Sequence, residues 1–352
     1  MQLAGRKKEH LRSVVAGGVS LLASLRVCLA AEARPSPPSS SIFAPSSTPA
    51  SEIFHLSLLV YAITGAIFLV VGGLLFYVVL RYRARSGDAY REPVQVYGSS
   101  HIELAWTVIP VLIVIVLFLS TARVIFAIQD APKPGSALDV SVVGHQFWWE
   151  FRYPDLGIVT ANELHVPVSD PSHPTPTYLK LMSADVVHSF WVPELAGKTD
   201  LIPDRENAMW LDPHRPGVYL GQCAQFCGIE HAKMLLRVYV DTPEQFAAWV
   251  ADQRRPGNQD PAVAAGRRVF ETQACMNCHT VAGTAATGRF GPDLTHLMSR
   301  STIASGAALN TPQNLREWIK EPDEFKQGSL MPAMQLSDQQ LDELVAYLST
   351  LN

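Results

Sequence analysis

Two long uncharged runs dominate the hydrophobic pattern of the chain. Residues 53–80 and 105–122 contain no Asp, Glu, Lys or Arg, and each is long enough to cross a hydrocarbon layer of ~30 Å. Four arginines lie between positions 81 and 91, so the positive-inside rule places this loop in the cytoplasm. We predict a transmembrane helix hairpin over residues 53–131, followed by a periplasmic remainder. Two buried core helices are the alternative.

The N-terminal segment has the pattern of an export signal. A basic start that includes Arg6 and Lys8 precedes a mostly apolar stretch ending in small residues, which predicts a signal peptide over residues 1–31. Cys28 lies in this leader, and we assign it no site. Residues 32–52 are rich in Pro and Ser and are predicted to be a flexible linker.

Short β-type runs replace the apolar spans after residue 132. They are rich in β-branched and aromatic residues and alternate with Pro, Gly and Asp, which favours a sandwich or barrel over residues 132–244. In the last run, Leu236, Val238 and Val240 share one face, and Arg237 and Tyr239 share the other, as in a half-buried strand. The predicted strands are 138–143, 146–153, 177–182, 208–211, 218–222 and 235–240.

The C-terminal region changes to a helical pattern. Residues 245–260 are predicted to be a linker between domains, and residues 261–352 an all-α domain. Thr311 followed by Pro312 is a favourable helix start. Ser337 with Gln340 forms a capping-box pattern ahead of an apolar stripe.

Composition argues against a nucleic-acid-binding function. Lys and Arg total 28 and Asp and Glu total 32, which gives a formal net charge of -4. A dedicated nucleic-acid-binding protein would carry a basic excess. Only 17% of the residues are charged and 48% are hydrophobic, which suits a water-exposed protein with a membrane anchor.

A dense set of soft ligands lies between positions 223 and 234. Cys223, Cys227, His231 and Met234 offer two thiolates, an imidazole and a thioether, and His188 is the upstream candidate for a second imidazole. Sulfur donors combined with imidazole favour copper. Two thiolates can bridge two copper ions, each capped by one histidine. Met234 and the backbone carbonyl of Gln225 are the expected weak axial donors.

Three other interpretations of these residues compete with the copper site. A disulfide between Cys223 and Cys227 would be ordinary in an exported protein. A tetrahedral zinc site is disfavoured by the methionine. A single blue-copper ion needs only one cysteine, so the second cysteine disfavours it.

Residues 50–245 resemble subunit II of the haem–copper cytochrome c oxidases. The resemblance rests on the ligand motif, on His188, on the run Gly-His-Gln-Phe-Trp-Trp at 144–149 and on the two-span hairpin. It implies a cupredoxin-like β-domain that holds the binuclear centre CuA and delivers electrons to subunit I, where dioxygen is reduced. It also implies copper roles for His188, Cys223, Gln225, Cys227, His231 and Met234.

Two positions depart from the family pattern. The family often has Glu where this chain has Gln225, and that side chain commonly reaches a magnesium ion, which is therefore in doubt here. The family often has Trp where Phe147 stands, as the point that accepts electrons from a separate cytochrome c. The replacement would fit a donor that docks differently.

Glu103 lies at the cytoplasmic start of the second predicted span. In similar subunits this glutamate lies at the mouth of a proton channel, and that role is the expectation here. An interfacial anchor is the alternative, because ionisable residues at the ends of spans often serve that purpose.

A second motif, Cys275-Met-Asn-Cys278-His279, is the pattern of covalent c-type haem attachment. His279 is the expected proximal ligand and Met331 the expected distal ligand, with Met334 as the alternative. A thioredoxin-like dithiol would need a βαβ context, and a zinc site would need further ligands. Residues 260–352 resemble class I cytochromes c, through the residues Gly266, Phe270, Gly291, Pro292, Met331, Leu344 and Tyr347.

A cytochrome c fused behind a CuA domain resembles the caa-type oxidases. The expected route runs from a donor cytochrome c or bc complex to haem c, then to CuA and to subunit I, with proton translocation. Expected partners are subunit I, subunit III and membrane lipid, in the bacterial inner membrane. The alternatives are a nitric oxide reductase subunit, a thioredoxin-like copper-delivery protein of the assembly type, and a quinol oxidase subunit, which typically lacks the copper ligands.

Overall fold

The structure is a computed structural model that describes residues 40–83, 94–95, 97–129, 137–258 and 260–352. The predicted signal peptide, Cys28 and the arginines at positions 85 and 91 lie outside the described residues.

Two long apolar helices form the hairpin. They are α1 (Thr48–Arg81) and α2 (Ser100–Gln129), with mean hydropathies of 2.5 and 2.7 over their most apolar windows and no residue of those windows buried. Helix α1 begins five residues before the predicted start, so residues 48–52 are helical and not linker. Pro49 in the first turn accounts for this, because proline lacks the N–H that would be unpaired there.

Both ends of the hairpin that adjoin the β-domain are hydrogen bonded to it. The backbone N–H of Asp212 donates to Ser47 Oγ at 3.0 Å, and Thr48 Oγ1 donates to the Asp212 carboxylate at 2.5 Å. At the end of α2, the indole N–H of Trp210 donates to the carbonyl of Ile128 at 2.6 Å. The hairpin and the β-domain are therefore joined at two separate points.

The β-domain consists of two five-stranded sheets packed on one core. Their strand orders are β3-β2-β1-β5-β8 and β4-β10-β9-β6-β7. Trp149, Phe151 and Phe190 are among the large side chains fully buried between the sheets. The strands are β1 Leu138–His145, β2 Trp148–Tyr153, β3 Ile158–Ala161, β4 Glu163–Pro167, β5 Thr177–Ser183, β6 His188–Trp191, β7 Thr199–Leu201, β8 Asn207–Leu211, β9 Gly217–Cys223 and β10 Leu235–Asp241.

The alternation predicted for the last strand is present in β10. Leu236, Val238 and Val240 are buried in the core, and Arg237 and Tyr239 are half-buried on the opposite face. Since side chains alternate across a strand, one strand of this sheet can serve two surfaces. Its second face contacts the C-terminal domain.

Helix α3 (Pro243–Gln253) occupies much of the predicted linker at 245–260. Thr242 and Gln245 form a reciprocal capping box at its start, which satisfies backbone N–H groups that a helix leaves unpaired. Trp249 stacks on His165, with ring centroids 4.5 Å apart. The capping and the partly buried tryptophan make this segment part of the β-domain surface.

The C-terminal domain is a small helical unit with its own core. Gly266 allows its first and last long helices to cross closely, because a Cβ there would lie 1.9 Å from the carbonyl oxygen of Glu343. Phe270 and Tyr347 meet at the same crossing, with ring centroids 6.1 Å apart. The helices are α4 Ala264–Thr272, α5 Cys275–Cys278, α6 Pro312–Lys320, α7 Pro322–Phe325 and α8 Asp338–Leu348, with a short strand pair β11 Thr302–Ile303 and β12 Ala308–Leu309.

Candidate copper and haem sites

The predicted copper ligands come from three neighbouring elements at one end of the β-domain. Cys223 ends β9, and Cys227 lies in the following loop. His231 opens a 3₁₀ helix (His231–Lys233), and Met234 follows it, directly before β10. His188 begins β6, which pairs with β9 through Phe190 and Cys223. The pairing of two strands therefore brings ligands 35 residues apart to one place.

All six predicted ligand groups converge. Cys223 Sγ lies 3.9 Å from Cys227 Sγ, 4.0 Å from His188 Nδ1 and 3.1 Å from the carbonyl oxygen of Gln225. Cys227 Sγ lies 3.7 Å from His231 Nδ1 and 3.8 Å from Met234 Sδ. The two sulfurs are free thiols and lie far beyond the ~2.05 Å of a disulfide bond.

The electrostatics of the two thiols favour a bound cation. A hydrogen bond from Cys227 lowers the pKa of Cys223, so the first thiolate forms readily. The hydrogen bond to Cys223, burial and the negative charge of Cys223 raise the pKa of Cys227. A bound cation would favour the ionisation of both thiols, because metal ligands of this type are deprotonated. The chemistry of the donor set therefore fits a metal with a preference for sulfur and imidazole.

Asp185 was not identified from the sequence, yet it orients the upstream imidazole. Its Oδ1 lies 2.7 Å from His188 Nε2, and its Oδ2 accepts a hydrogen bond from the backbone N–H of Gln146 at 2.6 Å. Burial lowers the pKa of His188, but Asp185 and Cys223 outweigh it and raise the pKa. A carboxylate partner on the second ring nitrogen fixes the direction of the first.

Gln146 and Gly144 complete the surroundings of the ligands. The side-chain amide of Gln146 donates to the carbonyl of Cys227 at 2.6 Å. A Cβ on Gly144 would lie 2.8 Å from His188 Cδ2, so only glycine leaves the ring in its present position. Both residues belong to the run 144–149, whose role in shaping the site is visible only in three dimensions.

The haem-attachment motif lies in α5 and the turn after it. His279 Nδ1 is 2.8 Å from the carbonyl oxygen of Pro292, the bond that the resemblance to class I cytochromes implies. Burial lowers the pKa of His279, and the bond to Pro292 opposes this. The ring is thus neutral and held by its Nδ1, which leaves Nε2 free to bind iron.

An apolar cavity opens in front of His279. Cys275, Cys278, Met331 and Met334 all line it, and Met331 also packs against the domain core. Arg300 lines the cavity as well and is only 7% exposed, and its Nε has no hydrogen-bond partner. An apolar cavity with an attachment motif and a buried, unpaired guanidinium N–H fits a haem with an anionic propionate.

The β-domain supplies part of the wall of this cavity. Gln146, Phe147 and Trp148 line it together with Cys278 and His279. Lys326 of the C-terminal domain donates to the carbonyl of Phe147 at 2.6 Å. The candidate haem pocket and the candidate copper site therefore share the segment 146–148, since Gln146 also contacts Cys227.

Glu103 stands apart from both sites. It lies in the first turn of α2 and is exposed, and its carbonyl accepts a hydrogen bond from Thr107 Oγ1 at 2.8 Å. Its exposed position at a helix end is compatible with both of the roles considered from the sequence.

The chain thus combines an apolar hairpin, a two-sheet β-domain with clustered thiols, and a domain with a haem-attachment motif. Its sequence matches three family models. They are "Cytochrome C oxidase subunit II, transmembrane domain" at residues 37–124, "Cytochrome C oxidase subunit II, periplasmic domain" at residues 171–240, and "Cytochrome c" at residues 263–352. These define a membrane-bound redox subunit with a cupredoxin-like domain and a cytochrome c domain. The chain belongs to the cytochrome c oxidase subunit II family, with a fused C-terminal cytochrome c domain.

Relatives match most of the chain. Cytochrome c oxidase subunit 2 of Alkalihalophilus pseudofirmus is 36% identical over 84% of this chain and 85% of its own length. The subunit of Bacillus sp. PS3 is 34% identical over 77% of this chain and 80% of its own length. The crystal structure of the periplasmic domain of subunit II from Bradyrhizobium japonicum is 29% identical, covers 35% of this chain and 97% of that chain, and has a TM-score of 0.32.

The predicted fold class is confirmed: two apolar helices, a cupredoxin-like domain and a helical cytochrome c domain. The β-domain has two sheets, which excludes the thioredoxin-like copper-delivery protein considered from the sequence.

Proposed function

We propose that this subunit receives electrons at a c-type haem, passes them to a binuclear copper centre and delivers them to subunit I for the reduction of dioxygen, with proton translocation. The observation that carries the proposal is the convergence of two thiols, two imidazoles, a thioether and a carbonyl within about 4 Å contacts. This donor set fits copper.

The residues of the chain have separable tasks at the copper site. Cys223, Cys227, His188 and His231 would be the principal copper ligands, and Met234 and the Gln225 carbonyl would be weaker donors. Bound copper and haem would supply one-electron carriers. Asp185 holds the His188 ring, and the strands β6, β9 and β10 hold the ligand positions.

At the haem site, Cys275 and Cys278 are the attachment residues and His279 is the proximal ligand. Met331 is the proposed distal ligand, supported by its packing against the domain core. Arg300 faces the cavity with an unpaired N–H and would hold a propionate. The apolar side chains that line the cavity would exclude water from a bound haem.

The hairpin supports a location in a membrane. We place α1 and α2 in the bacterial inner membrane and the two redox domains in the periplasm, with subunits I and III beside the hairpin and a cytochrome c or bc complex as the donor. The unburied faces of α1 and α2 support neighbours in the membrane. We further propose that Glu103 lies at the mouth of a proton channel.

Metal and haem analysis of the purified complex tests the proposal. Comparison of the natural chain with Cys227→Ser should show the loss of two copper ions and of an EPR signal shared by a mixed-valence pair, while haem c stays. Cys275→Ser should do the reverse by weakening haem attachment while copper stays. A wild-type complex without the shared signal would contradict the copper proposal.

An activity assay distinguishes dioxygen from nitric oxide as the substrate of the complex. The complex should take up dioxygen with a reduced donor, and nitric oxide consumption in its place would assign the chain to a nitric oxide reductase. For Glu103, the Glu103→Gln variant should slow proton uptake and turnover. Unchanged turnover and proton uptake would return Glu103 to the role of an interfacial anchor.

A further inference from the structure

The cytochrome c domain docks on the β-domain through a defined strip. We call Glu163, Leu235, Arg237 and Tyr239 the docking strip, and residues 301–306 the docking loop. Arg237 Nη1 donates to Thr302 Oγ1 at 2.6 Å, and Tyr239 Oη donates to Ser301 Oγ at 2.8 Å. The strip is thus the second face of β10, extended by one residue of the neighbouring strand β4.

Glu163 makes the densest contact in this strip. The backbone N–H of Ser301 donates to both carboxylate oxygens at 2.9 and 3.1 Å, and its hydroxyl donates to Oε1 at 2.7 Å. The N–H and hydroxyl of Thr302 donate to Oε1 at 3.1 and 3.3 Å. Four donor groups of one domain therefore meet a single carboxylate of the other.

Burial makes this contact strong. Glu163 is 2% exposed, so the carboxylate has exchanged water for these four donors. Hydrogen bonds to an ionised acceptor are stronger than neutral ones, and the low local dielectric strengthens them further. A buried charge without such donors would be costly. Undocking the domain would therefore expose the loop and leave the carboxylate to be hydrated again.

The contact lies next to both candidate redox sites. On the cytochrome side, Ser301 follows Arg300, and Arg300 and Thr302 line the haem cavity. On the other side, Leu235 follows the proposed copper ligand Met234. The N–H of Leu235 donates to the Ser305 carbonyl at 3.1 Å, and Ser305 Oγ donates to the Leu235 carbonyl at 2.7 Å. A shift of the docking loop would move the haem pocket relative to the copper ligands.

We propose that Glu163 is a positioning residue that latches the cytochrome c domain in the arrangement needed for electron transfer from haem to copper. The inference rests on the proposed function and adds a role for a residue that binds neither cofactor. A tether alone gives a high effective concentration of the donor, but many of the accessible orientations are unproductive. The latch selects one orientation, in which Phe147 lies at the wall of the haem cavity.

The test compares Glu163→Gln with Glu206→Gln in the intact complex. Both changes remove one negative charge from the β-domain, and Glu206 is exposed. In Glu163→Gln, all four donors lose their charged acceptor, and an NH2 group in place of Oε2 would oppose the Ser301 N–H. We expect hydrogen exchange at the amides of Ser301 and Thr302 to be at least tenfold faster, and haem-to-copper electron transfer after photoreduction of the haem to be at least tenfold slower.

The spectra of both centres and their potentials should stay unchanged, as should the reduction of copper by a small reductant. Glu206→Gln should behave as the natural chain. Unchanged electron transfer in Glu163→Gln would overturn the latch. If Glu163→Gln loses copper or haem, Ser301→Ala decides, since it keeps the carboxylate and removes one donor. Transfer about threefold slower in Ser301→Ala supports the latch, and an unchanged rate overturns it.

The two proposals fail in different ways. A natural complex that carries no copper pair, or that never transfers electrons from haem to copper, contradicts the proposed function. A natural complex with rapid transfer and a Glu163→Gln variant of equal speed contradicts the latch alone.

Discussion

At the scale of single residues, glycine at position 144 determines where the His188 imidazole lies. A methyl group at this position would meet three atoms of His188 within 3.3 Å. Because His188 is fully buried and held by Asp185, the ring has little room to retreat.

We therefore expect Gly144→Ala to reduce bound copper by at least half or to change the EPR spectrum, and to destabilise the β-domain by about 1–3 kcal/mol through overpacking. Lys180→Ala is the control, since its side chain is exposed on strand β5 of the same domain. Copper content and an EPR spectrum identical to the natural chain would show that the imidazole position is not set by Gly144.

Glu150 contributes to the stability of the folded state in a pH-dependent way. It is 6% exposed; burial opposes its ionisation, but hydrogen bonds from His145 and Arg152 outweigh this and lower its pKa from 4.5 to about 2. A depressed carboxyl pKa stabilises the folded state above the unfolded pKa, and this stabilisation is lost as the pH falls through the folded pKa.

Glu150→Gln should therefore lower the free energy of unfolding by about 1–2 kcal/mol at pH 7, a figure reduced for the exposure of Arg152. The difference from the natural chain should shrink as the pH falls from 4.5 towards 2. Thermal unfolding of both proteins at several pH values measures this, with Glu206→Gln as the control. A difference that is constant down to pH 2 would contradict the explanation.

At this scale, the sequence predicts the ligand residues better than the residues that hold other groups in position. Cysteine, histidine and methionine at close spacing indicate ligands without any knowledge of the fold. Asp185 and Gln146 carry no such signal, because each acts through a contact that forms only when distant strands meet. Glu163 is a similar case, since its donors are 138 and 139 residues away.

At the scale of elements, the crossing of α4 and α8 depends on Gly266. The methyl group of an alanine would overlap the carbonyl of Glu343, so the helices must separate or bend. Gly266→Ala should reduce the amount of protein with attached haem several-fold and lower the melting temperature of the cytochrome c domain. Arg268→Ala on the exposed face of α4 is the control. Equal haem content in both variants would contradict the packing argument.

The elements that the sequence predicts are the long or strongly patterned ones. The six predicted strands are present, and four short strands are not predicted: β3, β4, β6 and β7. These strands have three to five residues, too few for a period of two to stand out. Helix α3 was missed because its polar face resembles a linker, whereas its Trp249 packs on the β-domain.

At the scale of the whole molecule, the docking of the two redox domains includes a buried lysine. Lys326 is 4% exposed; burial lowers its pKa from 10.5 to about 7, and the Glu230 carboxylate opposes this. Lys326 is then less readily protonated when docked than when hydrated. Docking should become stronger as the pH rises from 7 to 10.5, because the undocked state binds more protons there.

Hydrogen exchange in the docking loop of the intact complex, measured across this pH range and corrected for the intrinsic rate, checks the prediction. Protection should increase with pH in the natural chain. In Lys326→Met the dependence should be much weaker, because the titrating group is gone. The same pH profile in both proteins would assign the dependence to other groups.

The docking of the domains could not be predicted from the sequence. The polar face of β10 is what any half-buried strand would show to solvent, and the residues of the docking loop have no motif. Their complementarity appears only in the folded chain, where hydroxyl and amide donors meet the Glu163 carboxylate.

The two joints between the hairpin and the β-domain have a mechanical consequence. A globular head on one tether can swivel about the membrane normal, but two separated attachments, at Ser47 and at Ile128, remove that freedom. Once the helices lie among their neighbours in the bilayer, the orientation of the loop with the proposed copper ligands is fixed. Assembly of the helices in the membrane would then also orient the site from which we propose that electrons leave this subunit, without a separate step.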